Sequence, residues 1–324
     1  MATDTAKSLT TTVAEAVKDT YYDKLFLRVA EKKFVHKQLG QLSRKVPQGE
    51  GGFGAAGVTW TRWTNLPLVS AGQGEGVPTT AVSMTATNIT GTTAQYDQAV
   101  SISDILAYVS FGDVMKSAIE RLAYNAGLSI DTIVRNVIYT GLTIQAATGV
   151  AAAAYTSIPV TGYLSTSELK KAVRTLRRND AMELSDGYFV AVAHPDALYD
   201  LMTDTVTGGW IDSNKYTDGN ADKLLKGEIG RLAGVRFLET SNGATRGTGV
   251  TSSSTLYVTS VFGSDAFGVT ELQNLKTFVK PFGSAGSADP TDKVATAGWK
   301  TLFGATVLNS AFGVNIHHTV STTA

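Results

Sequence analysis

The sequence of 324 residues contains no cysteine. This absence excludes disulfide bridges, thiol nucleophiles and every zinc site that needs a cysteine ligand. Proline is scarce as well, with 7 residues, so no proline-rich linker divides the chain. No stretch approaches the roughly 18 consecutive apolar residues of a membrane-spanning helix, and the first residues lack the basic and apolar segments of a secretory signal. We therefore expect a protein that is made inside the cell and has no membrane partner.

Charge is also scarce. The 28 basic and 28 acidic residues cancel, so the formal net charge is zero, whereas a protein built mainly to bind nucleic acid or a membrane surface would carry a basic excess. Charged residues make up only 17% of the chain, against about 25% in ordinary globular proteins, while hydrophobic residues reach 43%. This composition predicts a large core and a surface that meets other protein.

The amino-terminal segment is the basic exception. Between residues 24 and 45, seven basic residues stand against Glu31 alone. A run of this kind is usually a solvated helix face, and the functional alternative is an arm that touches a polyanion. The basic residues considered for this second role are Lys32, Lys33, Lys37, Arg44 and Lys45.

Residues 58 to about 100 predict a long hairpin. They are rich in Thr, Trp and Val and show no helical period. Two strand-like stretches, GVTWTRWTNL and TAVSMTATNIT, flank a glycine-rich tip. An isolated two-stranded hairpin is only marginally stable in water, so another surface must cover its apolar side chains. We predict an inter-subunit contact through Trp60, Trp63, Leu66, Leu68 and Val69.

The rest of the chain predicts a mixed, α+β fold. The longest helical pattern runs from Ser103 to about Thr140, and we expect Gly112 or Gly127 to kink or split it. A capping box at residues 165–168 opens a second helix that reaches residue 178. The remaining expected elements are a strand at 188–193, a helix from Pro195, a short helix over 223–234, and strands at 234–240, 254–260, 275–282, 298–310 and 312–320.

We find no catalytic, cofactor-binding or metal-binding pattern in the sequence. Gly52, Gly54 and Gly57 spell G-x-G-x-x-G, but no buried strand precedes them and no helix follows, so they predict a hinge rather than a nucleotide site. His317 and His318 are neighbours on a predicted strand, point to opposite faces and cannot share a metal ion. We therefore expect a protein that is not an enzyme and has no cofactor.

Three sequence blocks resemble those of a known family. They are GEIGRLAGVRFLET at 227–240, VFGSDAFGV at 261–269 and SAGSADPTDKVATAGWKTLFGATVLN at 284–309. With the order of the predicted parts, they resemble the tailed-phage major capsid (coat) proteins of the N4-like family, which have the HK97-like fold. The parts that the resemblance implies are an N-terminal arm at 1–49, a hairpin called the E-loop at 50–101, a peripheral domain with a spine helix at 102–144, an α/β axial domain at 145–255, and return strands at 256–324 that lie mainly in the peripheral domain.

The resemblance implies a subunit that self-assembles into hexamers and pentamers of an icosahedral head shell around double-stranded DNA. The implied partners are other copies of the chain, a separate scaffolding protein, a portal and a decoration protein, with non-specific proximity to DNA. The implied location is the virion, after assembly in the cytoplasm of a bacterial host. Some members crosslink their subunits through an E-loop lysine, but no lysine occurs between residues 46 and 115, so noncovalent contacts must hold this shell.

Two other functions stay open at this point. An encapsulin-like nanocompartment shell would have the same fold and would enclose enzyme cargo instead of a genome. A β-rich binding or adhesion module is suggested by the Thr- and Gly-rich strands with aromatic residues. Such modules usually lack a helix as long as the one predicted at 103–140.

Overall fold

The computed structural model describes residues 22–42, 57–70, 72, 75–76, 78, 81–110, 112–151, 157–204, 210, 228–246, 255–284 and 290–321. The α-helices in these ranges are α1 (22–31), α2 (Asp104–Val109), α3 (Val114–Gly141), α4 (Thr166–Arg178) and α5 (Pro195–Thr203). The strands are β1 (Gln41–Leu42), β2 (Gly57–Trp63), β3 (Ala86–Thr92), β4 (Ala94–Ser103), β5 (Thr143–Ala146), β6 (Phe189–Ala193), β7 (Glu228–Leu232), β8 (Val235–Glu239), β9 (Ala244–Arg246), β10 (Leu256–Phe262), β11 (Phe267–Lys280), β12 (Val294–Val307) and β13 (Gly313–His318).

These strands form three sheets. The smaller main sheet has the order β1-β11-β12-β4, in which only β1 and β11 run parallel. The larger sheet has the order β5-β13-β10-β6-β8-β7, with β9 beside β10, and includes the parallel pairs β5/β13 and β6/β8. Strands β2 and β3 pair only with each other. The last four strands are thus divided between the two main sheets, because β10 and β13 lie in the larger one and β11 and β12 in the smaller one.

Helix α3 forms the centre of the core. Its 28 residues correspond to a length of about 42 Å, and its apolar residues recur at three- and four-residue steps, as expected of a buried helical face. Asp113 caps its first turn by accepting a hydrogen bond from the Lys116 backbone N–H at 3.0 Å. The helix packs against α1, against β12 and against one face of the larger sheet.

The predicted helix over 103–140 is two helices. Ser103 accepts a hydrogen bond from the Leu106 backbone N–H and opens α2, while Asp113 opens α3, so each helix has its own cap. Ser110 leaves the helical region at ψ 134° and ends α2, which places the break beside Gly112 as expected. Helix α3 continues through Gly127, so of the two glycines only Gly112 lies at the break.

Helices α4 and α5 cover the opposite face of the larger sheet. Alternate residues of β6 point to opposite sides: Val190 and Val192 join the core around α3, whereas Phe189, Ala191 and Ala193 join the core under α4 and α5. All five are buried, which explains the uninterrupted apolar run in the sequence. The predicted strand at 188–193 and the helix from Pro195 are confirmed.

The helix predicted over 223–234 was wrong for its described part. Residues 228–232 form strand β7, which pairs antiparallel with β8. Ala233 and Gly234 connect the two strands, with φ of 54° and 82°. Positive φ at both residues of a two-residue connection matches the right-handed twist of paired strands, so this Ala-Gly pair marks a hairpin that the helical period obscured.

Candidate subunit-contact surfaces

The hairpin of β2 and β3 carries apolar side chains that its own chain leaves uncovered. The two strands pair from Gly57 opposite Thr92 to Trp63 opposite Ala86. Beyond the paired part, Leu68 is 91% exposed. The other exposed apolar residues predicted for this contact are Trp63, Leu66 and Val69, and two further exposed residues of the returning segment are Val82 and Met84. The exposure of these four predicted residues leaves them available to a neighbouring molecule.

Trp60 differs from the other four, because its own chain covers part of its side chain. Its indole lies over two glycines, since a Cβ added at Gly91 or Gly268 would lie 2.7 or 2.8 Å from a ring carbon. Only glycine permits this approach of backbone to ring. The indole Nε1 is buried and has no hydrogen-bond partner among the described residues. Trp60 therefore fixes the base of the hairpin to β11 within one chain.

Helix α2 presents a second apolar surface that the sequence analysis missed. Its first backbone N–H, from Asp104, donates to the carbonyl of Lys293 at 2.9 Å, which ties the helix to the start of β12. Tyr108 is 87% exposed. The other exposed apolar residues of the helix are Ile105, Leu106 and Val109. In the sequence, Ile105 and Val109 looked like the first turn of the long buried helix, and only the paired caps at Ser103 and Asp113 signal that α2 is separate.

A buried carboxylate joins Val35 and His36, in the predicted arm, to helix α3. Asp131, on α3, accepts hydrogen bonds from the backbone N–H groups of Val35 at 2.9 Å and His36 at 2.7 Å, and its other oxygen lies 2.8 Å from His36 Nδ1. Asn242 Nδ2 donates to the same oxygen at 3.2 Å. Burial by itself raises the pKa of Asp131, but the hydrogen bonds and charge of His36 outweigh it, so the pKa lies below its ordinary value. The carboxylate therefore holds the arm, α3 and the turn after β8 together.

Two of the basic residues predicted to touch a polyanion, Lys33 and Lys37, already contact other side chains of the same chain. Lys37 forms an ion pair with Glu271 and lies 4.2 Å from the centre of the Phe34 ring. The ammonium of Lys33 lies 4.7 Å from the centre of the Tyr124 ring, whereas Lys32 is exposed. The remaining two residues considered for this role, Arg44 and Lys45, lie outside the described residues.

The histidines serve packing and capping. His318 is fully buried; its Nδ1 lies 2.9 Å from the Thr319 carbonyl oxygen and its Nε2 lies 2.9 Å from the Thr259 hydroxyl. Because the carbonyl can only accept, the proton belongs on Nδ1, and burial lowers the pKa of His318 to about 4. His194 caps α5 by accepting from the Asp196 backbone N–H at 3.3 Å.

The described part of the chain offers neither a metal site nor a membrane-spanning helix. Within the described ranges, no group of three or more His, Asp or Glu side chains is arranged to hold a metal ion. None of the helices in the described part of the chain is both long and apolar enough to cross a bilayer.

Comparison with known proteins gives structural similarity alone. No model of a protein family matches the chain, and no curated protein matches it in sequence. The capsid structure of cyanophage P-SCSP1u matches with a TM-score of 0.62 and 15% identity over 89% of each chain. The capsid of Ralstonia phage GP4 matches with a TM-score of 0.63 and 12% identity over 84% of this chain and 86% of that one. A virus-like particle from Pyrococcus furiosus matches with a TM-score of 0.50 and 10% identity over 92% of this chain and 99% of that one.

The similarity extends over most of each compared chain, so it concerns the whole arrangement and not one motif. The prediction of a mixed α+β chain is confirmed, and the chain has the HK97-like fold of phage capsid proteins.

Proposed function

We propose that this chain is the major capsid protein of a tailed phage of the N4-like family. It assembles into the hexamers and pentamers of an icosahedral head shell that encloses double-stranded DNA. The observation that carries the proposal is the hairpin, whose residues beyond Trp63 expose a run of apolar side chains that no part of the described chain covers. Contiguous exposed apolar surface of this kind marks a site of contact with other protein.

The geometry suits a head-to-tail contact between identical subunits. Trp60 anchors the base of the hairpin within its own chain, so the apolar tip is presented in a defined direction. Burying one Leu or Val side chain contributes about 1.5–3 kcal/mol, and Leu66, Leu68 and Val69 together contribute roughly 5–9 kcal/mol per contact before the cost of association. Head-to-tail contacts of this kind close into rings when the rotation permits.

The division into parts follows the resemblance, although β1, at the end of the arm, and β4, at the end of the E-loop, lie in the same sheet as β11 and β12. We assign residues 1–49 to the arm and 50–101 to the E-loop. The peripheral domain comprises 102–144 with β11 and β12, and the axial domain comprises 145–255 with β10 and β13. The interleaving of these return strands between the two sheets supports treating both domains as one folded unit.

The partners of such a subunit follow from this role. The proposed partners are other copies of the chain, a separate scaffolding protein, a portal and a decoration protein. The proposed location is the virion, after assembly in the cytoplasm of the bacterial host. The subunit has no catalytic task in this scheme.

The test is assembly of a hairpin variant. In the triple variant Leu66→Ser, Leu68→Ser and Val69→Ser, we expect a folded chain that sediments as a monomer, because the changed side chains are exposed in one subunit. Wild-type chain, with the phage's other head proteins if required, is expected to give uniform shells by negative-stain electron microscopy.

The matched control changes polar residues of the same hairpin. Thr64→Ser, Asn65→Ser and Thr87→Ser alter three exposed side chains without removing apolar surface, so this variant should form shells. Wild-type yields of shells from the apolar triple variant would contradict the proposed contact. A wild-type chain that stays monomeric with all head proteins present would contradict the shell function itself.

The second candidate is an encapsulin-like nanocompartment shell, and the fold match to the virus-like particle from Pyrococcus furiosus favours keeping it. Its subunit contacts would be the same, so the contents of purified particles decide between the two. Nucleic acid inside supports the phage capsid, and a protein cargo supports the nanocompartment. A β-rich adhesion module is not favoured, because a 28-residue helix forms the centre of the core.

A further inference from the structure

Helix α4 carries a basic face that no role above uses. Its basic residues are Lys170, Lys171, Arg174, Arg177 and Arg178. The chain as a whole has no net charge, so this concentration in 13 residues is a local feature. We call these five residues the α4 basic face.

The acidic residues near this face neutralise little of it. Glu168 is the one acidic residue of α4; it is buried, pairs with Lys171 at 2.7 Å and accepts a hydrogen bond from Gln145 at 3.0 Å. Arg177 has a loose, exposed pair with Glu183 at 3.6 Å. The three other cations, which make no ion pair in the part of the chain that the structure describes, are Lys170, Arg174 and Arg178.

Helix stability accounts for only two of these cations. Basic residues in the last turn of a helix are favoured by the helix dipole, which explains Arg177 and Arg178. Lys170 and Lys171 lie in the first half of α4, where the dipole gives a cation no benefit. Exposed cations at positions 170, 174, 177 and 178 also share one side of the helix, at steps of four, three and one residues.

The composition of the face indicates which partner it fits. The residues exposed on α4 are all polar or basic, because the apolar side chains of the helix are buried against the sheet. Specific protein interfaces are enriched in aromatic residues and arginine and depleted in lysine at their centre. This face has arginine but no exposed aromatic or other apolar residue, so it lacks the apolar centre of a protein contact. Arginine forms paired hydrogen bonds with phosphate oxygens, and basic side chains supply most of the affinity in sequence-independent DNA binding.

The spacing is compatible with a duplex. Lys170 and Arg178 are eight residues apart, which corresponds to about 12 Å along the helix axis. Duplex DNA carries one phosphate charge per about 1.7 Å of its axis, so roughly seven phosphates pass along this length. We propose that the α4 basic face binds the phosphodiester backbone of double-stranded DNA without sequence preference.

The test is the salt dependence of DNA binding. The probe is a fluorescein-labelled 30-base-pair duplex, and fluorescence anisotropy is measured with the full-length, unassembled chain. If four cations contact phosphates, affinity should fall about 150-fold between 50 and 200 mM salt. In the triple variant Lys170→Gln, Arg174→Gln and Arg178→Gln, the slope of log affinity against log salt should decrease by about 2.7.

Two matched variants separate the α4 basic face from total charge. Arg121→Gln, Lys276→Gln and Lys280→Gln remove three exposed cations elsewhere and should leave the wild-type slope. Arg174→Lys with Arg178→Lys keeps the charge on α4 and should also keep the slope. An unchanged slope in the α4 triple variant, or an equal decrease in the Arg121, Lys276 and Lys280 variant, would overturn the proposal.

Poly-L-glutamate tests the competing class of partner. If the α4 substitutions abolish its binding but leave DNA binding unchanged, the face binds acidic protein and the proposal is wrong. Repeating the DNA measurement on assembled particles then shows which side of the shell carries α4, since added DNA reaches only the outer side. Because binding is measured on the unassembled chain, failure of the shell function would leave this result unaffected.

Discussion

Replacing Asp131 by alanine should loosen the arm and destabilise the whole chain. The carboxylate is fully buried, and its removal leaves the backbone N–H and the ring nitrogen of His36 without the acceptor that they now share. Each buried donor left without a partner costs about 1–3 kcal/mol, and two such donors are left here. Alanine is the better helix former by about 0.6 kcal/mol, so we expect a net loss of about 3–4 kcal/mol.

The assay has two parts. Urea unfolding followed by tryptophan fluorescence gives the free energy of unfolding, and limited trypsin digestion reports release of the arm through cleavage at Lys32 and Lys33. We expect the Asp131→Ala chain to be cut there faster than wild type under native conditions. Glu75→Ala, which removes an exposed carboxylate, is the matched control and should change neither result.

The outcome that refutes this reasoning is a loss below about 1 kcal/mol with unchanged cleavage. That result would mean that the arm is held by its apolar contacts and that the carboxylate only fills space. The pH dependence gives a further check. The pKa of Asp131 is lowered from its ordinary value of 3.8, so its contribution is fully present above that value and is lost as the pH falls below it.

Three further changes test other contacts. Gly127→Ala places a Cβ 2.7 Å from the carbonyl oxygen of Ala30; it should displace the arm and speed trypsin cleavage, and wild-type protection would contradict this. Asn315→Ala removes two 3.0 Å hydrogen bonds to the last carbonyls of α3; it should lower the free energy of unfolding in urea by about 2–4 kcal/mol, and a loss under about 0.5 kcal/mol would count against it. His318 has its pKa lowered from 6.5 to about 4, so stability is full above pH 6.5 and should fall by about 3 kcal/mol as the pH drops to about 4. His318→Gln should flatten that slope, and an equally steep slope would exclude His318 as its cause.

Local chemistry predicted many elements correctly. The strands around the hairpin, the helix after Ser165 and the strand before Pro195 were found from β-propensity, capping and turn signals, which act within a few residues. One of the two hydrogen bonds of the predicted capping box is confirmed, because the Ser165 hydroxyl accepts from the Glu168 backbone N–H. The Glu168 carboxylate, which was expected to bond a free backbone N–H, accepts from the side chains of Lys171 and Gln145.

The misses depend on contacts between distant residues. Trp60 is partly covered by its own chain because Gly268, more than two hundred positions away, leaves room for its ring. Lys37 is neutralised by Glu271 on β11, which no local pattern indicates. In the sequence, Asp131 is an ordinary polar residue of a predicted helix. Its role depends on the contact that Val35 and His36 make with that helix.

The long antiparallel ladder has a mechanical consequence. Strand β12 pairs residue by residue with β4, from Phe303 opposite Ala94 to Val294 opposite Ser103, and pairs along its other edge with β11. A strand of 14 residues spans about 46 Å. Tension along this direction loads the ladder in shear, so its hydrogen bonds must rupture together, whereas a pull across the strands would unzip them one at a time. In a subunit whose strands lie along the shell wall, outward pressure would pull along the strands. Its resistance would then depend on how slowly the ladder ruptures under load, and not on the free energy of unfolding at equilibrium.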